Sequence, residues 1–232
     1  MLRRAFVRLL TEESVTLLTV LGGLCLCFLG FETTSRALDA VGIESDRAGH
    51  LGKWVVLLAL VGWVLVVENR ALASIGWVLA GTPVETVWWT LGTTVALLAA
   101  NVVFAPLWAR LPGDDAIREG MGEFAGLSVG EKVAISITAG VTEEPLFRGY
   151  PIERIGELTG FPILGALVGG LAFLVGHVGD VWSPAAAARM AQPTVVLTGV
   201  YLLTGSLPVV VAAHALNDVV GLLLAERYVD ST

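Results

Sequence analysis

Lysine is almost missing from this chain: Lys53 and Lys132 are the only two among 232 residues. Charge of either sign is scarce, at 15% of residues, where a soluble domain carries about a quarter. What charge there is sums to −7. A basic nucleic-acid footprint is therefore absent, and that class of partner is excluded. The acidic, lysine-poor balance suits a protein in concentrated salt. Cysteine is limited to Cys25 and Cys27, two apart and so on different sides of a helix. They exclude a disulfide framework and read as small apolar residues. No G-x-S-x-G occurs, which removes a nucleophile elbow, and no H-E-x-x-H occurs, which removes a standard zincin site. There is no fixed-period repeat and no low-complexity tract.

What the chain does have is apolar sequence, 55% of it, gathered into runs that the charges avoid. A transmembrane helix needs about 20 mostly apolar residues. Val15 to Phe31 is the first such run and reads as a retained helix, since no small-x-small cleavage site follows it. Residues 32–53 read as a polar loop. Leu51 to Val67 and Thr86 to Ala109 are the next two spans, with Trp54, Trp63, Trp88 and Trp89 placed as interfacial anchors. Ala71 to Ala80 is too short to cross. Residues 111–131 form a Gly-rich charged connection with room for an amphipathic surface helix. Phe161 to Val178, a piece around Thr194 to Leu203, and Leu207 to Leu224 complete six or seven membrane helices. The expected fold is an all-α, polytopic transmembrane bundle of about six to eight helices in the cell membrane. Residues 1–130 supply N-terminal helices and 131–226 a C-terminal core, in one integrated domain. Basic residues do not orient it: the N-terminus and the first loop carry three each.

An ionisable side chain at the bilayer centre costs about 2.5–3.5 kcal/mol even on lenient scales. The last hundred residues nonetheless set Glu143, Glu144, Arg148, His177, His214 and Asp218 within or against apolar runs. Such groups should face one another or a wet cavity. Glu144 and Arg148 are four apart in the favourable order for a helical pair. Glu143 lies about 100° round the helix from Glu144, so it can stay unpaired while its neighbour is neutralised. Pro145 removes a backbone hydrogen bond and favours a bend, and Gly149 allows a close approach. His214 and Asp218 share a helix face; Asn217, three from His214, competes for the same role. The chemistry on offer is water activation: a carboxylate as general base, with imidazoles that orient water, bind a metal or donate to an oxyanion.

Glu143-Glu144-Pro145-Leu146-Phe147-Arg148 resembles the EExxxR motif of the CPBP family of intramembrane proteases, which includes the CAAX proteases and bacteriocin-processing proteins. Phe173 to His177 resembles its FxxxH motif, and His214 to Asp218 its HxxxN motif, in the same order. The resemblance covers about residues 130–222, with a weak likeness around Glu68 to Gly76. It implies an intramembrane endopeptidase in which Glu143 activates water with His177, while His214 and its partner Asp218 stabilise the oxyanion. Glu144 and Arg148 would support them. It leaves open a divalent metal such as zinc, with Glu143, His177, His214 and Asp218 as candidate ligands. The implied substrate is a peptide or protein, prenylated CAAX tails being the family's best-known target. Asp218 departs from the family's Asn, and a carboxylate donates no hydrogen bond unless protonated. Two other classes fit the same residues: a non-catalytic scaffold or immunity-type protein that keeps the motifs for packing, and a proton-coupled transporter.

Overall fold

The structure is a computed structural model describing residues 2–43, 45–113, 121–177 and 183–225, with side chains from residue 17 onward except those of 45–48. Its helices of ten residues or more are α1 (Leu2–Ala40), α2 (Ser45–Gly62), α3 (Pro83–Trp108), α4 (Val129–Glu144), α5 (Tyr150–Thr159), α6 (Pro162–Gly176), α7 (Pro184–Thr204) and α8 (Leu207–Leu223). No strand occurs among the described residues. Against six or seven expected spans, three helices among the described residues are long and apolar enough to cross a membrane: Leu17–Ala40, Gly49–Val67 and Pro83–Trp108. Helices α6 and α8 are apolar but shorter.

The polar loop expected over 32–53 is mostly helix. α1 runs on to Ala40, and α2 starts at Ser45. Glu32 and Arg36 pair four residues apart at 2.7 Å, which supports the helix beyond the apolar run. The turn comes only at Gly42, whose φ of +84° suits a residue without Cβ. The surface helix expected in 111–131 falls partly on residues 114–120, which lie outside the described residues; 121–125 are helical. Local signals set other starts. Thr82 with Glu85, and Ser128 with Glu131, form capping boxes at α3 and α4, each satisfying two orphan backbone donors. The Ser128 hydroxyl and backbone N–H both donate to the Glu131 carboxyl and hold it below its ordinary range.

α4 and α5 form one continuous rod, joined by a π-turn over Pro145–Gly149. Pro145 provokes it: a proline ring clashes with the normal helical ladder, and the N–H of Tyr150 bonds instead to Pro145 O, five residues back. α8 lies against α4 at Gly140, where a Cβ would sit 2.7 Å from Val211 O. Trp54, Trp88 and Trp89 are exposed, as anchors would be. Trp63 is not among them: it packs across Gly22 of α1, in the inner cluster with Leu60, Val64 and Tyr150. Cys27 is buried and Cys25 exposed, unpaired.

A second π-turn, Trp63–Val67, ends α2 at Glu68. There a buried ionic cluster ties the 68–76 segment to α5. Glu68 Oε1 accepts from the Tyr150 hydroxyl at 2.7 Å, and Oε2 from Arg154 Nη2 and Nε at 2.6 and 2.9 Å. Arg154 also donates to Ser74 Oγ and to Ser74 O. Arg70 grips Glu157 with both nitrogens, which pushes the guanidinium further up from its ordinary range. Tyr201 donates to Glu153 at 2.9 Å.

Candidate active site

The C-terminal end of α4, the C-terminal end of α6 and the middle of α8 bring five polar side chains together. Glu143 and Glu144 end α4; the π-turn carries Arg148. Gly149, within that turn, has no Cβ to strike Ile75 O, which would lie 2.6 Å from one. The segment 72–75 thus packs against the π-turn. His177 caps α6, and His214 and Asp218 lie one turn apart on α8.

Glu144 is the hub. Its Oε1 accepts from Arg148 Nη1 at 2.9 Å and from His214 Nδ1 at 2.7 Å. Both partners are buried, and Glu144 wholly so. Because Glu144 accepts at Nδ1, that nitrogen carries the hydrogen. The other ring nitrogen, Nε2, lies 3.2 Å from Asp218 Oδ2. Asn217 does not compete: its amide oxygen accepts from Asn101 Nδ2 of α3 at 3.0 Å. Asn101 in turn accepts from Gln192 of α7, and Gln192 from the Trp108 indole. Asp218 is thus the side chain beside His214, while Asn217 belongs to a polar ladder joining α3, α7 and α8.

Glu143 has a different set of neighbours. Its Oε2 lies 4.0 Å from His177 Nε2, too far for a hydrogen bond and near enough for a shared water. His177 Nδ1 lies 2.7 Å from Phe173 O. A carbonyl only accepts, so Nδ1 bears the proton of the neutral ring and Nε2 presents its lone pair toward Glu143. The expectation that Glu143 stays unpaired is not met. Lys53 of α2 donates to its Oε1 at 2.6 Å. Sequence reading missed this partner because it lies 90 residues away; the scarcity of lysine was the one available signal.

Several polar valences here have no partner. Glu144 Oε2 and Arg148 Nε and Nη2 are buried without a hydrogen bond, although the guanidinium lies 4.5 Å over the Phe173 ring. That is unusual for native interiors, where buried polar groups are nearly all bonded.

A divalent metal was considered from the sequence, with zinc the example. The donors do not fit one. Each ring nitrogen of His214 faces a carboxylate and Glu143 Oε1 holds an ammonium, which leaves His177 Nε2 and Glu143 Oε2, 4.0 Å apart, as a pair rather than a full ligand set. Among the described residues no three His, Cys, Asp or Glu side chains are grouped to hold a metal ion.

Residues 126–220 match the family model described as Type II CAAX prenyl endopeptidase Rce1-like. All six motif residues, Glu143 to Asp218, fall inside the match. The match takes in less than half of the chain, and it is a likeness of this stretch to that family. Lys53 lies outside it. No curated protein and no solved structure matches the chain.

Proposed function

We propose that this chain is an intramembrane endopeptidase that hydrolyses a peptide bond with water activated by Glu143, the observation that carries the reading being the gap of 4.0 Å between Glu143 Oε2 and His177 Nε2. A water bonded to both atoms would sit about 2.8 Å from each. Glu143 takes its proton as it attacks the scissile carbonyl, and His177, held by Phe173 O, fixes the direction of attack. Proton return to the leaving amine completes the cycle. Glu144 and Arg148 hold His214 by its Nδ1. With a carboxylate at each ring nitrogen, His214 carries both hydrogens, and its Nε2–H, beside Asp218, is the donor placed to meet the developing oxyanion. Asp218 competes for that same nitrogen, so the substrate must displace their contact. The substrate class is a peptide or protein, with a prenylated CAAX tail the target that the family's description names. The membrane is the bundle's setting; residues 1–130 and 131–226 act as one body in it.

Glu143→Gln tests the base. General base catalysis contributes roughly 10²- to 10⁴-fold, so cleavage of a prenylated CAAX peptide by the purified variant should fall by at least that order. Its thermal melting in detergent should stay close to that of the unmodified protein. Unchanged cleavage would remove Glu143 from the mechanism. A large loss of melting temperature with no activity in either protein would favour a motif kept for packing.

A further inference from the structure

Lys53 is supplied by the N-terminal helices, outside the family-matched stretch, and it reaches the one carboxylate to which the chemistry has been assigned. It lies four residues inside the Gly49–Val67 span, about 6 Å along the helix. Its position follows from packing beside it. Gly52 has no Cβ to meet Ser35 Oγ, which would lie 2.9 Å from one, so α2 settles against α1 there. The ammonium then stands 5.9 Å over the Phe31 ring and 2.6 Å from Glu143 Oε1.

The contact differs in form from a structural ion pair. Arg154 is 1% exposed and binds Ser74 and Glu68 Oε2, and the Tyr150 hydroxyl takes Oε1, so neither oxygen of Glu68 is left over. Lys53 is 27% exposed and engages one oxygen of Glu143 only. The oxygen it leaves is the one that faces His177. A carboxylate held by one oxygen cannot swing about its last torsion, so its two oxygens become unequal.

We infer that Lys53 is a positioning residue, which pins Glu143 Oε1 and thereby reserves Oε2 for the water shared with His177. The inference rests on the reading of Glu143 as base. It assigns the N-terminal helices a direct part in the site, beyond spanning the membrane.

The test uses the full chain reconstituted in liposomes, with an internally quenched farnesylated CAAX peptide as probe. A positional error of about 1 Å costs on the order of 10²-fold, so Lys53→Met should lower kcat by about that factor while KM stays within about threefold. Because the Met variant can fail by misfolding, Lys53→Cys is made alongside in a Cys25→Ser, Cys27→Ala background. Aminoethylation of that cysteine restores an ammonium at the right length and should recover most of kcat. Alkylation to a neutral thioether should not. A substrate-free arm treats the unmodified protein with carbodiimide: an isopeptide between Lys53 and Glu143 should appear by mass spectrometry and vanish in Glu143→Gln. No crosslink, a kcat within threefold in Lys53→Met, or equal recovery by the neutral adduct would each overturn the role of Lys53. An active Glu143→Gln, or an unmodified protein that leaves the peptide uncut, would overturn the parent reading and this inference with it.

Discussion

Two buried ionic clusters sit on the same rod, each beside a π-turn, and they are finished differently. In the cluster around Glu68, both carboxylate oxygens accept, and Arg154 distributes its donors over Glu68 and Ser74. In the cluster around Glu144, one oxygen of Glu144 and two nitrogens of Arg148 are buried without partners. Glu143 Oε2 and His177 Nε2 face each other across 4.0 Å, beyond direct hydrogen bonding. Both clusters carry the desolvation cost of buried charge, but only the first offsets it fully with hydrogen bonds. The first fastens the 68–76 segment to α5. The second keeps reactive atoms open, and open valences at a buried centre are what a substrate and a water can fill.

That difference gives a ranked set of breaks. Glu144→Gln should have the largest effect, because it strikes the open cluster at its hub. It leaves the Arg148 charge buried and unpaired, a loss on the order of 3–5 kcal/mol, and it loosens His214 as well. Urea unfolding in detergent and single-turnover cleavage should both fall. Arg154→Met should come next. It uncovers Glu68 and should cost a similar 3–5 kcal/mol at most, yet leave kcat unchanged when assayed well below the melting temperature. A parallel loss of kcat at low temperature would erase the distinction between the clusters. Asp218→Asn should be smallest. It exchanges a hydrogen bond to a charged group, worth about 1.5–3 kcal/mol, for a neutral one worth about 0.5–1.5 kcal/mol, so cleavage should change by no more than about tenfold. An amide beside His214 Nε2 can donate where a carboxylate cannot, so the sign should be toward faster cleavage. Complete loss of activity would mean that Asp218 has a role only a carboxylate can fill.

What the sequence disclosed and what it hid follow one physical line. Hydropathy marked the spans, and the spacing of Glu144 with Arg148 and of His214 with Asp218 marked two contacts that the structure makes. These are local, set by one turn of helix. The polar stretch after Phe31 misled because charge and helix are compatible once i, i+4 pairs and intrahelical hydrogen bonds are available. Long-range pairing left no period to read. Lys53 reaches Glu143 from another helix, Asn217 turns to Asn101 rather than to His214, and Glu68 looked only like the end of a span while it binds Tyr150 and Arg154. Each depends on which helices touch.

The most direct test sets the two carboxylates side by side: Glu143→Gln and Glu68→Gln, purified together, with melting temperature and cleavage of one CAAX peptide measured on both. Glu143→Gln should lose cleavage and keep its melting temperature, and Glu68→Gln should lose melting temperature and keep cleavage below it. The reverse pattern, or equal losses of both quantities in both variants, would contradict the division between a closed structural cluster and an open catalytic one.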